Sequence, residues 1–183
     1  MYKLSNWFYN VSGIPLLIVA FLVFAFFMAV VLPGMAGQLG DITGVDVSPD
    51  TSFTYSAADL YAMAEAYGEE GRAYYIYSRF TFDVAWPLAY MFFMVVTISY
   101  LYRDYPDRRR WKLLNLLPIA GGLFDFLENS AASLVMYRYP LETPVVASLA
   151  PVFTFIKWIL IALSFAVLAI GLILKVKGLL NRS

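Results

Sequence analysis

Residues 121–134, GGLFDFLENSAASL, set two carboxylates and an amide inside a long apolar run. Asp125, Glu128 and Asn129 fall within about one helical turn of each other, so on a helix their heads share one side. Two carboxyls at that spacing can do acid–base chemistry, one giving a proton while the other takes it. They can equally form an ion pair or one stage of a proton path. In hydrocarbon an unpaired charge costs at least about 2.5–3.5 kcal/mol, so such residues need partners and are functional candidates by default.

Spacing names the partners. Pro118, Gly121, Gly122, Asp125, Glu128, Asn129 and Ala132 follow the i, i+3, i+4, i+7 pattern of one helix face, while Leu123, Phe124, Phe126 and Leu127 point elsewhere. A small, polar face of this kind looks into a bundle, because small residues let helices approach and polar groups avoid lipid. Downstream, Ala147, Ala150, Thr154, Lys157, Ile161 and Ser164 make a matching stripe; upstream, Asp83, Pro87, Tyr90, Met94 and Thr97 make another. The short RYPLETP connection turns the chain near Leu141, and Asp125 and Lys157 lie equally far to either side of it. An antiparallel hairpin therefore sets them at one depth and predicts an Asp125–Lys157 ion pair, with Glu128 opposite Thr154 a turn away. That pairing leaves Glu128 over. The surplus charge calls for a proton, most simply on Glu128, or for Arg138 or a cation, and Asn129 can complete the network. Asp83 stands apart. Pro87 has no N–H, so the Asp83 carbonyl loses its helical donor, and Arg79 is one turn upstream. The site is either an entrance to the polar interior or an interfacial salt bridge.

The elements that must hold these residues are clear from composition. The 183 residues are 61% hydrophobic and only 14% charged, and the apolar residues gather in stretches long enough to mean a membrane protein. Four stretches, about 13–34, 82–101, 114–137 and 145–174, meet the roughly 20 residues needed to cross hydrocarbon, and unbroken runs of that kind are helices. The expected fold is one all-α domain over residues 1–183, a four-helix transmembrane bundle. The first run exceeds a typical signal core and is expected to be retained. Lys3, the RDYPDRRRWK connection, and Lys175, Lys177 and Arg182 carry most of the basic residues, whereas residues 37–80 carry seven acids against Arg72 and Arg79. Both termini are therefore expected in the cytoplasm and the 37–80 segment outside. Within that segment Ser56 and Asp59 have capping-box spacing, predicting a helix over 57–67. Gly68 breaks it, and a second helix runs on from about residue 69. Tyr74, Tyr75, Tyr77 and Phe80 are expected in the interfacial belt.

Composition also excludes. With thirteen basic and thirteen acidic residues no basic surface remains for nucleic acid. The absence of cysteine and histidine removes disulfides, zinc–thiolate and iron–sulfur sites and the usual base near neutral pH, and no metal or cofactor is expected.

Three functions fit. The favoured one is a noncatalytic subunit or a lipid- or partner-binding component of a membrane complex, whose polar network comprises Asp83, Tyr90, Asp125, Glu128, Asn129, Thr154 and Lys157. An intramembrane enzyme would use Glu128 and Asp125 as acid and base on a lipid or isoprenoid. A transporter would couple a proton or cation along Asp83, Glu128, Asp125 and Lys157. Against all three stands a purely structural role, fixing helix register. Arg108, Arg109, Arg110 and Lys112 are expected to meet lipid headgroups, the commonest role of such a loop. Membrane lipids, other membrane subunits or a second copy are the expected partners.

The F-D-x-x-E-N core of the third helix, here Phe124, Asp125, Glu128 and Asn129, resembles a set of uncharacterised bacterial four-helix integral membrane proteins. GEEGRAYY before the second helix and the Lys157–Trp158 pair belong to the same pattern, so the resemblance covers most of the chain. It implies the fold and a bacterial inner membrane, and it brings no activity. The layout is also similar in architecture to the EXPERA sterol-isomerase and sigma-2-type proteins, whose sequence signatures the chain lacks.

Overall fold

A computed structural model describes residues 1–35, 37–45, 47–49, 52–104 and 112–180. These residues contain helices and no strand. α1 (Tyr2–Val11) leads into α2 (Ile14–Phe26), which runs on through a π turn at Phe27–Val31 and an α turn at Leu32–Met35. α3 (Gln38–Thr43), α4 (Ala57–Ala66) and α5 (Gly68–Arg79) make up the intervening segment. α6 (Phe82–Tyr102) follows, then a 3-10 turn at Leu114–Leu116, α7 (Leu117–Arg138) and α8 (Pro144–Leu180). Prolines open the long helices where a missing N–H is harmless: Pro15 in α2, Pro118 in α7 and Pro144 in α8.

Three runs are long and apolar enough to cross a membrane: Ile14–Thr43, Gly68–Tyr102 and Pro144–Gly178. Their burial differs sharply. Only 6% of the first run's apolar window and 11% of the third's are buried inside the protein, against 61% of the second's. The exposed sides of α2 and α8 carry Ile18, Leu22 and Phe26, and Ile159, Leu163 and Ile173, the kind of continuous apolar surface that belongs against lipid. α7 has 22 residues, long enough to span, yet its acids, glycines, serines and Asn129 keep it out of the apolar set. It lies instead at the polar heart of the protein. α8 runs past the expected end at residue 174, because no proline or left-handed glycine stops it before Leu180.

α6 is the central helix, packed by α2, α7 and α8, and the α7–α8 hairpin is the most extensive contact. The 37–80 segment is not a free outer surface. Leu60, Met63, Ala64, Tyr67 and Tyr75 from α4 and α5 form one core with Ala131, Ala132, Val135 and Met136 of α7 and Ala147 and Ala150 of α8. The segment therefore covers the hairpin's end. Ser56 caps α4 with the full reciprocal box, its hydroxyl accepting from the Asp59 N–H and the Asp59 side chain accepting from the Ser56 N–H. Gly68 at φ +64° supplies the left-handed residue that turns α4 into α5. Tyr75 departs from the expected interfacial belt: it is fully buried, with the Arg79 guanidinium 4.3 Å over its ring. Tyr77 and Phe80 stay exposed.

At the opposite end, Tyr9 of α1 packs with Ile98, Leu101 and Tyr102 of α6. Here α8 approaches α6 closely at Gly171, where an added Cβ would lie 2.6 Å from Tyr102 Cε2 and 3.1 Å from Leu101 Cβ. The Tyr102 ring is buried and its hydroxyl donates to the Val167 carbonyl at 2.9 Å, so it has little freedom to yield. Gly171→Ala is therefore expected to cost on the order of 1–3 kcal/mol, read as a lower thermal midpoint in detergent. Gly178→Ala, with nothing within 4 Å, should leave the midpoint unchanged or slightly raised. A second outcome concerns the α4 cap. The Ser56 backbone N–H, and then its hydroxyl, hold the exposed Asp59 carboxyl below the ordinary carboxylate value. A lowered carboxyl stabilises the fold above its unfolded value, about pH 4, and this is lost as pH falls through the lowered value. The gap in thermal midpoint between wild type and Ser56→Ala should be widest near neutrality and narrow in acid, without closing, because the bond from the Asp59 N–H to the Ser56 hydroxyl is lost at every pH.

Candidate functional site

The faces expected from spacing come together. On α7, Pro118, Gly121, Gly122, Asp125, Glu128, Asn129 and Ala132 are all buried, while Leu123 and Leu127 are exposed. Asp83, Pro87, Tyr90, Met94 and Thr97 of α6 are buried as well, and so are Ala147, Ala150, Thr154, Lys157 and Ser164 of α8.

Lys157 occupies the centre. Its ammonium lies 3.4 Å from Asp125 Oδ1 and also contacts Glu128 Oε2. The expected Asp125–Lys157 pair is present, and the same ammonium also meets Glu128, so the carboxylate that the pairing left over is in contact with it as well. The physical reason is reach. Counting along a hairpin fixes backbone depth, whereas a four-carbon stem spans the single turn between Asp125 and Glu128. Arg138 does not reach inward and is exposed. Tyr90 completes the set by donating its hydroxyl to Asp125 Oδ2 at 3.0 Å. Burial is nearly complete, with Glu128 0%, Lys157 4% and Asp125 8% exposed. Ionised, the three charges sum to −1.

The remaining candidates fall into other places. Asn129 is 3% exposed, and neither atom of its amide has a hydrogen-bond partner among the described residues. Thr154 exchanges a hydrogen bond with Tyr55, just ahead of α4, at 3.0 Å, which ties the covering segment to α8. Asp83 pairs with Arg79 one turn earlier, both groups buried, and Ser48 Oγ lies 3.5 Å from the same guanidinium. Lys112 is half-buried with its ammonium 5.4 Å above the Tyr2 ring. Arg108, Arg109 and Arg110 lie outside the described residues. No group of three or more metal-ligating side chains gathers among the described residues.

A cavity of about 650 Å³ joins these features. Asp125, Lys157 and Tyr90 stand on its wall at one level, and Asp83, Arg79, Ser48 and Ser78 at another. The two levels are roughly 10 Å apart along α6, seven residues at 1.5 Å each. Glu128 is not on the wall. Most of the rest is apolar, contributed by Phe24 of α2 with Met28 and Leu32 of the turns that continue it on one side and by Trp158, Ile161 and Phe165 of α8 on the other. α2 reaches α6 through rings: Phe24 stacks on Phe93 at 4.6 Å and on Trp86 at 5.8 Å, and Phe27 stacks on Trp86 at 6.2 Å. Trp86 in turn meets Tyr90 edge-on at 5.7 Å.

Trp86, Trp158 and Phe24 are wall residues that helical spacing does not single out, although Trp86 lies on the Asp83–Tyr90 face and Trp158 is next to Lys157. No protein-family model, curated protein or solved structure matches the chain.

Removing Lys157 leaves two buried carboxylates without their ammonium. Lys157→Met is expected to cost about 3–5 kcal/mol in thermal stability in detergent. Glu128→Gln, which keeps the Asp125 pair, should cost clearly less, and adding it to Lys157→Met should recover part of the loss. The reverse order would show that Lys157 is not what compensates the pair.

Proposed function

We propose that the protein is an integral membrane protein of four spans that binds a lipid or similar amphiphile without transforming it, alone or as a subunit of a membrane complex. α7 is the fourth span. Both termini and the basic connection before α7 face the cytoplasm, and α4 and α5 cover the outer end, in a bacterial inner membrane.

The observation that carries this is the cavity, whose apolar walls lead to Tyr90, Asp125 and Lys157. Its volume falls within the range of small-molecule sites, which pair mostly apolar walls with a few placed polar groups. A hydrocarbon tail suits Phe24, Met28, Leu32 and Phe165, and a polar head suits the three polar groups. Because Glu128 adds a carboxylate behind them, a head that donates hydrogen bonds or carries positive charge fits better than a phosphate. The same geometry disfavours Glu128 and Asp125 as a catalytic pair. Glu128 is fully buried, is in contact with Lys157 and does not line the cavity, whereas a general acid must come within hydrogen-bond reach of its substrate.

The test is gentle purification from the native membrane, followed by mass spectrometry of what accompanies the protein. One amphiphile class is expected near one per chain. It should be lost from Ile161→Trp, which fills the cavity, and kept by Ile159→Trp, which lies on the exposed side of α8. Lipid matching the bulk membrane, or the same species in Ile161→Trp, overturns the assignment. Stoichiometric proteins arriving with an empty cavity would leave the subunit role and remove the lipid.

A further inference from the structure

α1 divides into three sectors. Ser5, Tyr9 and Ser12 are buried against the protein. Lys3, Asn6 and Asn10 are exposed and polar. Leu4, Trp7 and Val11 are exposed and apolar, with Phe8 half-buried beside them. At 100° per residue the three sectors are centred about 120° apart. A helix resting on a soluble protein needs two faces, one for the core and one for water. The third, apolar face of α1 has no occupant among the described residues.

The helix is not free to turn this face away. Ser5 Oγ lies 2.8 Å from Asn115 Oδ1, Asn115 Nδ2 donates to the Ser5 carbonyl at 3.1 Å, and the same amide donates to Ser99 Oγ at 2.9 Å. A buried asparagine thus clasps α1 to α6 and to the turn before α7. Only Ser12 and Gly13 separate α1 from the start of α2 at Ile14, and the Ser12 carbonyl accepts from Arg103 Nη1 at 3.3 Å. Since α2 opens one of the membrane-crossing runs, α1 lies at the level where that run meets the bilayer surface. Just beyond α1, Ile14 and Ile18 of α2 are exposed and apolar as well. Lys3 stands on α1 itself, the Lys112 ammonium lies 5.4 Å above the Tyr2 ring, and Arg103 reaches the end of α1 at Ser12 while also pairing with Asp104; residues 1–13 contain no acid.

We propose that α1 is an interfacial helix lying in the surface of the bilayer, with Leu4, Trp7, Phe8 and Val11 in the boundary between headgroups and acyl chains of an anionic leaflet. Three sectors then meet three media: protein, lipid and water. An aromatic–aliphatic face with flanking cations is the composition that binds there. This assignment is independent of the cavity and its occupant.

The chain has no cysteine, so single spin labels report each sector cleanly. Leu4→Cys, Trp7→Cys and Val11→Cys, with Asn6→Cys and Asn10→Cys, would be labelled in vesicles of phosphatidylcholine and phosphatidylglycerol. Ile18→Cys on α2 serves as the lipid-exposed reference and shows that the fold is intact. Collisions with oxygen should exceed collisions with a water-soluble nickel chelate at positions 4, 7 and 11, and the order should reverse at 6 and 10. High nickel access at all five positions would put α1 in water, and shielding from both reagents at 4, 7 and 11 would put another protein chain on the face. Either result overturns the proposal. Omitting phosphatidylglycerol should draw the three apolar positions nearer the water, and unchanged depth would remove the anionic preference.

Discussion

A charge buried away from water costs free energy unless it is paired, so every charge placed in the interior has to be answered from inside the protein. Asp125 and Glu128 impose this on α7, and Lys157 of α8 answers both at once. The consequence is a register. Sliding α8 by one turn would carry the ammonium about 5.4 Å from its partners. Tyr90 extends the constraint to α6 through its bond to Asp125. Three helices are thus fixed relative to one another by four side chains, and the small residues around them let the backbones come close enough for those side chains to meet.

The covering segment follows from the same constraint. A polar interior between α6, α7 and α8 has to be closed where the hairpin ends, and α4 and α5 close it. Arg72 donates to the Ala64 carbonyl at 2.9 Å and stacks 4.9 Å from the Tyr139 ring, Tyr61 accepts from the Thr143 N–H, and Tyr55 bonds Thr154. Tyrosine suits this work, presenting a broad apolar ring and one polar tip where core meets hairpin end. These rings face the protein's own hairpin, so the aromatic richness of residues 53–80 is largely accounted for without an outside partner.

Much of this was legible in the sequence for a definite reason. Burial in α6, α7 and α8 follows helical periodicity, and the short turn at Leu141 makes depth a matter of counting; hence the three faces and the Asp125–Lys157 proximity. What counting cannot supply is side-chain reach, which is why the direct contact of Lys157 with Glu128, a turn from the paired depth, was not placed. Nor can periodicity place Tyr75, because a tyrosine in a boundary segment satisfies an interfacial belt and a buried ring against arginine equally well. α1 escaped notice because ten residues mixing lysine, asparagine and aromatics fall below any spanning threshold. Its contacts with Asn115 and the packing of Tyr9 on α6 reveal that its faces are sorted. The cavity was invisible for a related cause. It lies between α2 and α8, two helices far apart in sequence that carry no complementary polar pattern.

That last point separates two kinds of wall. The α6–α7–α8 side is held by directional contacts, hydrogen bonds and charges whose geometry has one solution. α2 is held to α6 by stacked rings, whose dispersion contacts are individually small and tolerant of displacement. A π turn at Phe27–Val31 interrupts its helix beside the cavity, a feature that recurs at functional sites. A binding space framed this way has a fixed polar end and a compliant apolar side. For the amphiphile we propose, such a frame would hold the head strictly while accommodating tails that differ in length or branching.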